Sequence, residues 1–170
     1  VLSYFYKLEN VNTKKDKKKI ENDYQRIIHS LNMTFRVGNQ SAFTNFSVID
    51  RTLMKETFDE MRFPDGSAID IEYVQDLQTI FMEFMAKKDP ISKLPYRFPV
   101  TTCNIKISES GEVVDKEFFD NVCKYNTEGI FNIFITKHSG KFASCCRLIN
   151  NMDMIKEYSR FDSFGNGELS

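Results

Sequence analysis

Three runs rich in β-formers, residues 43–49, 98–107 and 129–136, alternate with stretches whose apolar side chains recur at helical spacing. Between the first two, Pro64-Asp65-Gly66 marks a turn, and Ser67 followed three residues later by Asp70 has the form of a capping box. Val74, Leu77, Ile80, Phe81, Phe84 and Met85 then form one stripe before Lys87, Lys88 and Pro90 stop the element, which predicts a helix over 70–86. Between the second and third runs, Asp115 can cap a helix over 115–125 that carries Phe118, Phe119, Val122 and Tyr125 on one face. Parallel neighbours need a crossover of a dozen or more residues, and both gaps supply one. The prediction is an α/β fold: a largely parallel sheet with both helices on its outer face. In such sheets ligands meet the loops beyond the carboxyl ends of the strands, which is where residues 137–147 fall.

The rest of the chain is read the same way. Residues 1–7 are apolar and aromatic, the end of a helix, and Ile20, Tyr24, Ile27, Ile28 and Leu31 line one face of a second helix that begins at Lys17. Residues 36–50 read as a polar loop, with a turn at Gly38-Asn39-Gln40-Ser41, leading into the first strand. Residues 150–158 read as a short amphipathic helical turn. A chain of 170 residues with 41 % hydrophobic and 28 % charged content fits one globular domain, and a net charge of −1 gives no argument for direct nucleic-acid or membrane binding. Lys14, Lys15 and Lys17 to Lys19 are the solvated start of a helix. No stretch has the 18 or so apolar residues needed to span a bilayer, so the expected location is cytoplasmic. Cys103, Cys123, Cys145 and Cys146 show no Cys-x-x-Cys spacing; reduced thiols and no metal site are expected. The opening at Val1 and the stop at Ser170 suggest the interior of a longer protein.

Ser144-Cys145-Cys146-Arg147-Leu148 places two adjacent thiols after a strand and a turn. Free cysteines are commonly small buried hydrophobes, so packing is one explanation. A second is nucleophilic: His138, seven residues ahead of Cys145, could serve as the base of a thiol hydrolase, although no orienting carboxylate or oxyanion loop is legible. A third is a non-catalytic nucleotide-binding module in which the cysteines merely pack.

Three motifs in one order add to this reading. Arg36-Val37-Gly38-Asn39-Gln40-Ser41-Ala42-Phe43-Thr44-Asn45, then Phe98-Pro99-Val100-Thr101-Thr102-Cys103-Asn104-Ile105, then Ser144-Cys145-Cys146-Arg147-Leu148 with Phe164-Gly165-Asn166-Gly167, resemble the central region of anaerobic (class III) ribonucleoside-triphosphate reductases. The resemblance runs from about Leu31 to the end of the chain. It implies that residues 1–170 are a partial catalytic domain, part of a ten-stranded α/β barrel in which two parallel half-sheets close around a finger loop. It also implies glycyl radical chemistry: a stored glycyl radical converts a finger-loop cysteine to a thiyl, which takes the 3′ hydrogen of a ribonucleoside triphosphate before the 2′ hydroxyl leaves as water. Formate as reductant, dNTP and ATP effectors, a radical SAM activating enzyme and a homodimer are implied with it. Such a thiyl must be held at contact distance from one ribose carbon and away from other hydrogens, hence on a short rigid loop inside a closed barrel. The family's radical-bearing Arg-x-x-Gly-Tyr segment, the four-cysteine zinc site near it, the upstream cysteine of the first barrel strand and the N-terminal regulatory region have no counterpart in these residues. The chain alone is therefore expected to be inactive.

Site residues follow from the resemblance. Aerobic and cobalamin-dependent reductases carry a Cys-x-Glu-Ile-like pattern, and setting Leu148 on its last residue places Cys145 on the reactive position, with Arg147 where the acid stands. Cys146 would point the other way. Asn166, in a glycine turn, is the candidate asparagine for formate use. Gln40, Ser41, Asn45, Thr102 and Asn104 are candidates for holding the substrate, because a nucleotide needs fixed hydrogen-bond partners that apolar runs do not offer.

Overall fold

Which way each side chain of the sheet points decides the layering. The computed structural model describes residues 2–35, 40–41, 43–58, 61–96, 98–138, 140–145, 148–151 and 167–169. Strands β3 (Asn45–Ile49), β4 (Val100–Lys106) and β5 (Phe131–Thr136) form one parallel sheet with β4 in the centre, as the alternation predicts. Small hairpin strands β1 (Thr34–Phe35) and β2 (Gln40–Ser41) precede it and pair antiparallel with each other. Side chains alternate along a strand, so Val48, Cys103, Ile105 and Phe131 share the outer face. They are buried there against three helices: α2 (Lys17–Asn32) through Ile20, Tyr24 and Ile28, α4 (Ile71–Ala86) through Leu77, Ile80, Phe81, Phe84 and Met85, and α5 (Lys116–Tyr125) through Phe118 and Val122. Helix α1 (Leu2–Leu8) joins this core through Tyr6, whose hydroxyl donates to Asp23 at 2.9 Å.

The inner face carries Asn45, Ser47 and Ile49 from β3, Thr102 and Asn104 from β4, and Asn132, Phe134 and Thr136 from β5. It is covered by strand β6 (Lys141–Cys145), which pairs with β7 (Leu148–Asn151), which in turn pairs with β8 (Gly167–Leu169), all antiparallel. Ile49 belongs to a second apolar cluster with Leu53 and Met54, against which Phe142 of β6 and Val74 of α4 pack.

Several local expectations are corrected. Residues 141–143 are strand, not loop, because β6 finds antiparallel partners in β7. Asn150 and Asn151 belong to β7 and do not start a helical turn; the remainder of 150–158 lies outside the described residues. Asp70 itself caps α4, accepting the Tyr73 N–H at 3.1 Å, while Ser67 bonds to Asp65 inside the preceding turn, so the Ser67–Asp70 pair is not a capping box. Helix α3 (Arg51–Phe58), which the alternation of runs did not suggest, starts with no intervening loop directly after β3. Its cap is Asp50, whose Oδ1 accepts the Leu53 N–H at 2.8 Å.

Candidate active site

Among the described residues, four side-chain amides each hold both backbone polar groups of a single residue. The Asn32 amide takes the N–H and C=O of Phe98 at 3.3 and 2.7 Å, Gln78 those of Ile49 at 3.0 and 2.9 Å, and Asn126 those of Phe131 at 2.7 and 3.2 Å. These secure the start of β4, the end of β3 and the start of β5. A primary amide offers one acceptor and two donors, so it can replace the pair of groups that a neighbouring strand would present.

The fourth grip joins the two sheet layers. Asn104 is fully buried in the centre of β4; its Oδ1 accepts the Ala143 N–H at 2.6 Å and its Nδ2 donates to the Ala143 carbonyl at 3.2 Å. The same Nδ2 lies 3.3 Å from the Val48 carbonyl and 3.4 Å from that of Thr102. Ser47, from β3, donates its hydroxyl to the Ala143 carbonyl at 2.8 Å. Ala143 is thus fixed over the sheet, and Cys145 ends β6 two residues further on, in register with Leu148. The β6–β7 pairing shifts register between Ala143 and Cys145, an irregularity of the kind found where a strand must re-aim a residue.

Beside this anchor the inner face holds polar atoms that have no hydrogen-bond partner among the described residues. Asn45 Oδ1 and Thr102 Oγ1 are buried and without a hydrogen-bond partner among the described residues. Such atoms cost about 1–3 kcal/mol each if nothing reaches them. The Asn45↔Val100 and Ser47↔Thr102 register makes the two residues diagonal neighbours on one face, so a single polar ligand could serve both.

At the carboxyl end of the sheet, the wholly buried Asp50 also accepts the Lys106 N–H, and burial raises the pKa of its carboxyl. Next to it Arg51 donates its backbone N–H to Asp115 at 3.0 Å and pairs with the same carboxylate through its guanidinium at 3.2 Å. Asp115 in turn accepts the Phe118 N–H at 3.1 Å, capping α5 as predicted.

Of the sequence candidates, the structure brings Asn45, Thr102 and Asn104 together on the face under β6. Gln40 and Ser41 form β2, in a separate small sheet, and Cys146, Arg147 and Asn166 lie outside the described residues. Gly167, next to Asn166, opens β8 opposite Asn150 of β7. The reading missed Ser47, although a period of two from Asn45 puts it on the same face. His138 is exposed just past β5, and among the described residues its imidazole has no hydrogen-bond partner; its backbone N–H donates to the Thr136 hydroxyl at 3.0 Å. Cys103 faces the helices, fully buried, and burial pushes its thiol up to about 12, so it is a packing residue. Among the described residues no three His, Cys, Asp or Glu side chains gather as a metal site, and no helix is long and apolar enough to cross a membrane.

The family of anaerobic ribonucleoside-triphosphate reductases matches residues 1–169. The chain belongs to this family. The anaerobic ribonucleotide reductase of Thermotoga maritima with glycerol in the active site is 28 % identical over 98 % of this chain and 26 % of its own, with a TM-score of 0.70. The same enzyme in complex with dATP and CTP is 28 % identical over 84 % of this chain and 24 % of its own, with a TM-score of 0.67. No curated protein matches. This member of the reductase family therefore spans about a quarter of the length of the solved structures that it resembles.

Proposed function

We propose that this chain works within an anaerobic ribonucleotide reductase, supplying the parallel half-sheet and finger loop that hold a ribonucleoside triphosphate against the Cys145 thiol. The observation that carries the reading is the pinning of β6, the strand that ends in Cys145, to a polar inner face by Asn104 and Ser47. A thiol that must reach one ribose carbon needs a fixed strand end, and a nucleotide needs the unspent hydrogen-bonding atoms beside it.

Asn45 and Thr102 offer the ribose region their unpartnered oxygens, Gln40 and Ser41 of β2 are further candidates for holding the substrate, and Asn104 serves the same face through its hold on Ala143. A glycyl radical on a segment outside this chain would supply the hydrogen-atom abstraction that activates the Cys145 thiol. The substrate then loses its 3′ hydrogen to that sulfur and its 2′ hydroxyl as water. Formate, held by Asn166 and oxidised to carbon dioxide, provides two electrons and one proton; with a second proton from solvent these put a hydrogen on the 2′ carbon in place of the hydroxyl lost as water, and the hydrogen on sulfur returns to the 3′ carbon. Closure of the half-sheet into a ten-stranded barrel, zinc near the radical segment, dNTP and ATP effectors, a radical SAM activase, a homodimer and a cytoplasmic setting complete the proposal. The dATP and CTP bound by the Thermotoga maritima enzyme support the nucleotide part of it.

The test is made in a complete, activated reductase chain carrying these residues, kept strictly anaerobic. Cys145→Ser should form the glycyl radical and show no turnover, while Cys146→Ser retains it. The reverse pattern would move the thiyl to Cys146, and turnover in both variants would remove the radical reading. Asn166→Ala should lose formate-dependent turnover; unchanged turnover would end its assignment.

A further inference from the structure

Three of the four amide grips act inside the body formed by sheet and helices, where they close a strand end or an open strand edge. The grip on Ala143 differs in kind. It reaches from the central strand of one sheet to a strand of another, over 39 residues of chain. Face-to-face layers usually stand about 10 Å apart, too far for backbone groups to meet, and contact through side chains alone leaves the height of one layer over the other adjustable. Here a fully buried side chain bonds directly to the backbone of the covering strand, so its length sets the separation. The Ser47 hydroxyl on the same carbonyl, arriving from the neighbouring strand, adds a second fixed point and removes the freedom of β6 to pivot about the first.

We infer that Asn104, assisted by Ser47, is a positioning residue for Cys145, setting the height and tilt at which the end of β6 presents that residue above the parallel sheet. The inference rests on the reading of Cys145 as the reacting thiol. Ala143 is two residues upstream, and the register shift between them makes the strand end depend on where Ala143 is held. Without the amide, the Ala143 N–H would lose its acceptor and the C=O would keep only the Ser47 hydroxyl, leaving β6 free to shift toward other partners. A shift of about 1 Å in a reacting group costs on the order of 100-fold in rate.

The experiment uses the complete, activated enzyme and measures kcat, the KM for the ribonucleotide and the glycyl radical content by electron paramagnetic resonance. Asn104→Leu should lower kcat about 100-fold, with KM and radical content within twofold of the parent. Ser47→Ala, which removes one of two donors to the same carbonyl, should give a smaller fall in kcat, and Ser47→Thr, which keeps the hydroxyl, should restore it. A kcat within twofold of the parent in Asn104→Leu overturns the inference. So does a rise in KM at constant kcat, which would make Asn104 a substrate contact. Joint loss of kcat and radical content, with Ser47→Thr no better than Ser47→Ala, would reduce both residues to general stability and also overturn it. Should Asn104→Leu fail to fold, the two Ser47 variants decide alone: unchanged kcat in Ser47→Ala overturns the inference. Cys145→Ser is run in parallel. Turnover there defeats the underlying reading, whereas an inactive Cys145→Ser beside a fully active Asn104→Leu removes only the positioning role.

Discussion

Gln78 on α4 bonds to Ile49 twice, accepting its N–H at 3.0 Å and donating to its carbonyl at 2.9 Å, and so closes the outer edge of β3 at its last residue. The neighbouring Asp50 N–H points the opposite way and donates to the Asn104 carbonyl at 3.1 Å, so among the described residues Ile49 has no strand partner for these groups. Because Ile49 is buried, Gln78→Leu should strand a donor and an acceptor and cost about 1–3 kcal/mol of stability. Urea unfolding of parent and variant measures this. A change below about 0.5 kcal/mol would show that the edge groups find water instead.

Asp50 makes stability depend on pH in an unusual direction for a carboxylate. Burial raises its folded pKa above the unfolded value, so between the two the folded state holds more protons, and its contribution to stability falls as pH rises through that window. Asp50→Asn cannot titrate. The expected outcome is that stability of the parent relative to Asp50→Asn declines on going upward from about pH 4, the unfolded value. Denaturant midpoints of both proteins at several pH values test it, and a rising difference would contradict the assignment.

Cys103 and Cys123 should react oppositely with an alkylating reagent. A thiol pushed up to about 12 and fully buried presents on the order of one thiolate in ten thousand at pH 8, whereas Cys123 is exposed. Mass mapping after brief alkylation of the native protein should find Cys123 labelled and Cys103 labelled only after unfolding. Equal labelling would mean that the outer core opens easily.

Thr102→Val separates binding from stability at the inner face. It removes a buried hydroxyl that has no partner among the described residues, so stability should hold or rise by up to about 1 kcal/mol. If the hydroxyl contacts the nucleotide, KM in the complete enzyme should rise severalfold. A variant that loses stability and keeps KM would place Thr102 in the scaffold alone.

The parallel sheet, the helices on its outer face and the Asp115 cap were legible in the residues, because side-chain periodicity and helix capping act within a few positions of one another. The same locality hid α3, whose cap Asp50 follows directly on the β3 run, and misassigned the Ser67–Asp70 pair, whose first member had a nearer partner in Asp65. Residues 141–143 looked like loop because a strand without a strong run of its own is made by its partners, here β7. The role of Asn104 lay furthest from view. Its type advertised hydrogen bonding and suggested a ligand, while in the fold its amide bonds the backbone of Ala143. Backbone groups carry no signature in the sequence, so which asparagine meets which peptide across 39 residues was decided only when the two sheets stacked.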